Sequence, residues 1–230
     1  SAPLSPRIHK QFYKATGHKI LERYGMTETN MIASNPYYAD RRAGTVGFPL
    51  PGVKIRITDI ENKKLLTQGQ VGNIEVKGPN VFKGYWRMPE KLKTEFRKDG
   101  YFITGDLGFI DRKGYLSISG RGKDLIISGG LNVYPAEVEN VIDSIEGVSE
   151  SCVVGLPHED FGEAVTAIVV FEQAPTMDTA QLQNLIAQKL AGYKTPVKIL
   201  FRKNLSRNQM GKIQKALLRK ELQSLYASKI

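Results

Sequence analysis

Four short stretches of this chain place hydroxyls, carboxylates and lysines next to glycines, where they could meet a small charged ligand. In the first, Tyr24-Gly25-Met26-Thr27-Glu28-Thr29, a hydroxyl and a carboxylate lie within two residues. The hydroxyl can hold a phosphate oxygen, and the carboxylate is a hard oxygen ligand suited to Mg²⁺. A Thr-Glu pair is equally a common way to start a helix. The second, Tyr101-Phe102-Ile103-Thr104-Gly105-Asp106, ends an apolar run with an acid exposed by a glycine. Such a carboxylate can accept both hydroxyls of a ribose, or it can sit in a plain Gly-Asp turn.

The third stretch runs from Gly120 to Glu139 and packs Arg121, Lys123 and Asp124, an apolar strand and a Gly129-Gly130 turn into twenty residues. Glycines there let another backbone or a thin ligand approach closely. The fourth, Asn208-Gln209-Met210-Gly211-Lys212-Ile213-Gln214-Lys215, puts a lysine directly after a glycine in a loop. Lys212 is either a mobile point charge within reach of a phosphate or carboxylate, or one more solvated lysine in a basic tail.

The elements that must carry these groups can be read from their periodicity. Residues 5–17 predict a helix with Ser5 as cap, Pro6 in its first turn, Ile8, Phe12 and Ala15 on one face, and Gly17 at its end. A short strand through Ile20 and Leu21 is expected to lead into Tyr24. From about Val46 to Ser119, period-two runs such as Val53-Lys54-Ile55-Arg56-Ile57 alternate with Gly, Pro and Asp turns, which predicts a small β-rich subdomain. Beyond Lys123 the pattern predicts strands at 125–128, 152–156, 164–171 and 197–201, with helices opening at Pro135, over 179–191 and from about Lys212 to Leu225. That second part is an α+β domain of about 107 residues, of a size that folds independently. The junction at 121–124 is short, as hinges are, although a plain loop reads the same.

Composition narrows the class. With 41% hydrophobic and 24% charged residues the chain reads as globular rather than disordered. No apolar run approaches the ~18 residues of a membrane span, and the opening residues do not resemble a signal peptide. The single cysteine, Cys152, lies in an apolar run and predicts a buried thiol in a reducing compartment, the cytoplasm or, in a eukaryote, the mitochondrial matrix. The net charge of +10 is unevenly spread: residues 189–230 hold eleven Lys or Arg against one acid, and residues 124–188 hold eleven acids and no Lys or Arg. This split predicts a face for a phosphate-rich ligand. Few aromatics interleave with the cations, which argues against nucleic acid.

Taken together and in this order, the four stretches resemble the C-terminal motifs of the adenylate-forming superfamily, which contains acyl-CoA synthetases, peptide-synthetase adenylation domains and luciferases. The resemblance covers essentially the whole chain. It implies the end of a large AMP-binding domain over residues 1–122, followed by a small α+β lid over 123–230. It implies that Ala2, within Ser1-Ala2-Pro3, and Glu22-Arg23-Tyr24 flank the adenine, with Tyr24 as the stacking ring. Thr27 is then the phosphate-binding threonine, Glu28 the Mg²⁺ carboxylate, and Asp106 the ribose acid, helped by Arg121. Lys123 falls at the hinge position, and Gly129 and Gly130 at the strand edge along which pantetheine enters. Lys212 matches the lysine that bridges the acyl carboxylate and the α-phosphate. The implied ligands are ATP or AMP, Mg²⁺, CoA and a small carboxylic acid, with no nucleic acid or membrane partner.

Glu22 to Met31, Arg41 to Gly47 and Pro157 to Val165 look most like the malonyl-CoA and methylmalonyl-CoA synthetase branch. Arg23 is a candidate cation for a distal carboxylate. The family's Gly/Ser/Thr-rich phosphate loop ending in Pro-Lys is not found in this sequence, so the chain is expected to be inactive alone. The alternatives are a piece of a peptide-synthetase adenylation domain, which hands its acyl group to a carrier protein, and a non-catalytic truncated module.

Overall fold

Ser5 and Pro6 open the first helix, α1 (Pro6–Thr16): the Ser5 hydroxyl accepts the Ile8 amide at 3.3 Å, and Pro6 occupies the first turn, where its missing N–H costs nothing. Gly17, in the left-handed region at φ 73°, closes it. The computed structural model describes residues 4–227. Ile8 and Phe12 of α1 are 43% and 44% exposed, Ala15 is exposed as well, and the residue this helix buries is His9. The chain divides into two compact units between Gly122 and Lys123.

In the first unit β1 (Arg23–Met26), β2 (Asn30–Ser34) and β3 (Phe48–Pro49) form a three-stranded antiparallel sheet. The expected strand at Ile20 and Leu21 is displaced, because the first residue to find a ladder partner is Arg23, opposite Ser34. β4 (Lys54–Thr58), β5 (Gly72–Lys77), β6 (Phe102–Ile110) and β7 (Leu116–Arg121) form a four-stranded meander, where the period-two pattern predicts a small β-rich subdomain. A helix that the pattern did not show, α2 (Pro89–Glu95), interrupts it between β5 and β6. Ile32, Val46, Ile57, Ile74, Val76 and Leu116 share this unit's core. Glu75 is fully buried on β5 and is held by Arg56 at 2.7 Å, Arg97 at 2.6 Å and the Thr58 hydroxyl at 3.0 Å, so its charge is compensated.

A 3₁₀ turn over Gly122–Asp124 leads into the second unit. Its strands are β8 (Ile126–Ser128), β9 (Leu131–Val133), β10 (Val148–His158), β11 (Gly162–Phe171) and β12 (Lys198–Phe201). Its helices are α3 (Pro135–Asp143), α4 (Thr179–Ala187) and α5 (Lys215–Leu222). β11 pairs with β10 along its length, and on its other edge with parallel β12 and with β8 through Ser128. Val153, Val165, Ala167 and Val169 pack with Val138 and Ile142 of α3 and Leu182 and Ile186 of α4. The alternate residues Cys152, Val154, Leu156 and Ile168 pack with Leu205 and with Leu218 of α5. Both faces are therefore covered, which is why the sequence there reads as continuous apolar runs rather than alternation. Asp178 and Gln181 cap α4 reciprocally.

The last helix starts three residues later than periodicity predicts. The Asn208 Oδ1 accepts the amides of Met210 and Lys212, both at 3.0 Å, and Gly211 takes φ 77°, which keeps Lys212 in a loop. Five α-helices and three sheets among the described residues make the mixed α+β fold that the sequence predicts.

Candidate functional site

β6 and β7 pair so that Asp106 and Arg121 stand directly opposite each other. The Arg121 Nε lies 2.9 Å from the Asp106 Oδ1, and the Tyr24 hydroxyl donates to the Asp106 Oδ2. Thr104 steadies the acid from behind: its hydroxyl donates to the Ile74 carbonyl at 2.9 Å and accepts the Asp106 amide at 3.1 Å. Asp106 is 6% exposed. Burial, reinforced by the charge and hydrogen bond of Asp106, pushes the Tyr24 phenol above its ordinary value. The ring orientation of Tyr24 is thereby fixed.

Thr27, Glu28 and Thr29 form the turn of the β1–β2 hairpin, not a helix start. Gly25 has to be glycine, since a Cβ there would come within 2.2 Å of the Asn30 carbonyl oxygen. A segment that sequence reading missed grips this turn. The Asn80 amide donates to the carbonyls of Thr29 at 2.7 Å and Met31 at 3.1 Å, the Phe82 amide donates to the Glu28 carbonyl at 2.8 Å, and the Tyr85 hydroxyl donates to the Glu28 Oε1 at 2.9 Å. Burial first, and then this bond to Glu28, raise the Tyr85 phenol above its usual value. Thr27 is exposed and Glu28 partly so. A turn presenting one steadied carboxylate fits Mg²⁺ that arrives on phosphate oxygens, an ion held by one or two protein carboxylates and mostly by its other ligands. No cluster of three His, Cys, Asp or Glu able to hold a metal ion occurs among the described residues.

Of the adenine-flanking candidates, Ala2 lies outside the described residues. Glu22 is half-buried with Oε2 lacking a partner among the described residues, and burial pushes its carboxyl up to about 7 against a counteracting bond from the Leu4 backbone. Arg23 is exposed on β1. In the second unit Gly129 and Gly130 form the exposed tip of the β8–β9 hairpin with φ 57° and 78°, Lys123 is exposed in the 3₁₀ turn, and the Lys212 ammonium has no carboxylate partner among the described residues.

Several charges of the second unit are paired within it. The Lys215 ammonium donates to the Glu139 Oε1 at 2.7 Å and the Val153 carbonyl at 3.2 Å. Part of the basic tail is paired with the acidic segment. Lys194 pairs with Glu137, Lys215 with Glu139, Arg207 with Glu150 and Arg219 with Asp124, so the acidic segment compensates part of the tail from within. The sequence separation of opposite charges concealed their adjacency across the sheet.

Comparison with known proteins bears on the whole arrangement. A family model described as "AMP-binding enzyme" matches residues 1–86, and one described as "AMP-binding enzyme C-terminal domain" matches residues 137–212. The chain belongs to the AMP-binding enzyme family. Within it, the chain is 43% identical to a malonate–CoA ligase of Arabidopsis thaliana, over 97% of this chain and 38% of that protein. It is 38% identical to a long-chain-fatty-acid–CoA ligase of Bacillus subtilis, over 96% of this chain and 40% of that protein. Among solved structures, ATP-bound MatB from Rhodopseudomonas palustris superposes with a TM-score of 0.95 at 57% identity, over 98% of this chain and 45% of that one. The chain thus spans less than half the length of these AMP-binding relatives. No helix among the described residues is long and apolar enough to cross a membrane.

Proposed function

We propose that this chain is the C-terminal portion of an ATP-dependent, AMP-forming acyl-CoA synthetase that converts malonate or methylmalonate, ATP and CoA into acyl-CoA, AMP and pyrophosphate. The observation that carries this reading is the Tyr24–Asp106–Arg121 cluster, in which Tyr24 of the hairpin that presents Thr27 and Glu28 meets the acid and the cation of the β6–β7 pair. It offers an aromatic ring, a buried acid for ribose hydroxyls, a phosphate-binding hydroxyl and a Mg²⁺ carboxylate, which together suit a nucleotide. Residues 1–122 then close the large AMP-binding domain, and residues 123–230 form the lid, turning about Lys123.

In the first half-reaction the carboxylate attacks the α-phosphate and pyrophosphate leaves. Charge accumulates on the phosphate oxygens, and the ammonium of Lys212 stabilises it, as preorganised cations do. In the second, the CoA thiolate attacks the acyl carbon and AMP leaves, with the Gly129–Gly130 turn bordering the pantetheine arm. The dicarboxylate preference is supported by the resemblance to a malonate–CoA ligase, with Arg23 the proposed partner of the distal carboxylate.

The test is pyrophosphate exchange, measured on the 230-residue chain and on an enzyme completed with an upstream AMP-binding region. The completed enzyme is expected to exchange with malonate or methylmalonate in preference to acetate and long-chain acids, and the 230-residue chain alone to show none. Preference for a long-chain acid would remove the malonate assignment, and exchange by the chain alone would remove its partial role.

A further inference from the structure

Two hairpins of the second unit interlock near the Gly129–Gly130 turn. The Phe161 carbonyl, at the tip between β10 and β11, accepts the Gly129 amide at 2.9 Å, and Ser128 stands opposite Gly162. One step further along β11, the Glu163 Oε2 accepts the Ile127 amide at 2.8 Å. β8 is only three residues long, and its register with β11 is limited to that single Ser128–Gly162 pair. A side-chain carboxylate therefore takes the place that a backbone carbonyl fills elsewhere in the ladder, and a charged acceptor makes the stronger bond.

The floor beneath this carboxylate is shaped for it. A Cβ added at Gly155 would lie 2.7 Å from the Glu163 Oε1, 2.9 Å from its Cδ and 3.1 Å from the Ile126 Cγ2. Gly155 sits between Val154 and Leu156, both fully buried on β10, where an apolar side chain would otherwise be the expected occupant. The missing side chain makes the space in which Glu163 lies.

We infer that Glu163 is a positioning residue for the Gly129–Gly130 turn, holding the β8–β9 hairpin through the Ile127 amide in a space that Gly155 keeps open. Its consequence for catalysis rests on the acyl-CoA synthetase reading above, in which this turn borders CoA. Three variants separate the terms. Glu163→Ala removes the acceptor, Gly155→Ala displaces it without altering it, and Glu163→Gln keeps an amide oxygen able to accept the same N–H.

The structural arm is amide hydrogen exchange in the 230-residue chain, with the Val153 amide as control for global stability. Exchange at Ile127 is expected to rise about tenfold in Glu163→Ala and Gly155→Ala, and to stay within about threefold in Glu163→Gln. The kinetic arm uses the completed enzyme: in the first two variants KM for CoA is expected to rise about tenfold, pyrophosphate exchange to stay within about twofold, and Glu163→Gln to restore CoA affinity. Unchanged Ile127 exchange in Glu163→Ala overturns the proposal whatever the enzyme's reaction, and so does raised exchange with an unchanged KM for CoA. A completed wild-type enzyme that makes no thioester would instead sink the functional reading, with the exchange data still deciding whether Glu163 holds the hairpin.

Discussion

Lys212 and Lys215 lie three residues apart, yet only Lys215 is engaged by a carboxylate among the described residues. Lys212→Ala in the completed enzyme is expected to slow adenylation at least a hundredfold, about 3 kcal/mol, while thioester formation from a supplied acyl-adenylate changes less than about tenfold. The exposed Lys220 is the proper control, and equal losses in Lys212→Ala and Lys220→Ala would strip Lys212 of its role. Lys215→Ala would lower stability instead, by roughly 1–3 kcal/mol, since Glu139 loses a charged donor.

That Lys212 follows a glycine in a loop was legible in the sequence, because that signal is local. The Lys215 partner was not, because Glu139 lies 76 residues upstream and reaches it only once α5 packs on β10. Glu22 adds a pH dependence. Its carboxyl stands at about 7 folded against an ordinary 4.5, so the folded state holds a proton that the unfolded state has released between those values. Stability attributable to Glu22 therefore falls as pH rises from 4.5 to 7 and stays reduced above that window. Glu22→Gln escapes this, so its melting temperature relative to wild type should be higher at pH 8 than at pH 4.5; a pH-independent difference would refute the burial assignment.

At the scale of elements, each catalytic hypothesis depends on a contact between segments far apart in sequence. The strands of the meander were legible from alternation, and so were α1, α3 and α4 from caps and period; Gly105-Asp106, expected to end a strand with an exposed acid, lies instead inside β6 with Asp106 buried, because the strand runs on to Ile110 in its ladder with β7. The grip of residues 80–85 on the β1–β2 turn was not, since the Tyr85 bond to Glu28 spans 57 residues and Gly84-Tyr85-Trp86 carries no local signature. α2 escaped because seven residues opened by a proline are too few to establish a helical period. The grip has a measurable role. Tyr85→Phe keeps the ring against Phe82 and removes only the hydroxyl that orients Glu28. A hydrogen bond to a charged group contributes about 1.5–3 kcal/mol, so KM for Mg²⁺·ATP is expected to rise on the order of tenfold or more. The melting temperature should fall by no more than a few degrees. A Tyr85→Phe enzyme with unaltered Mg²⁺·ATP dependence would show that Glu28 needs no such support.

At the scale of the molecule, the division between Gly122 and Lys123 separates two units that each have a core of their own. The second unit covers both faces of its sheet with its own helices, so residues 123–230 expressed alone are expected to fold and to melt cooperatively. Cys152 supplies the readout, as the single thiol of the chain and a fully buried one. Burial pushes the thiol up to about 12, so at pH 8 the reactive thiolate is more than about a thousandfold scarcer than for a free cysteine near 8.5, even before access is considered. A disulfide-exchange reagent should leave Cys152 of the isolated second unit untouched in native buffer and modify it promptly in denaturant. The denaturant midpoint of that reactivity should coincide with the midpoint of the circular dichroism change, because the Cys152 face and the secondary structure are lost together. Reaction at the rate of an unfolded thiol in native buffer would mean that the second unit needs the first in order to fold.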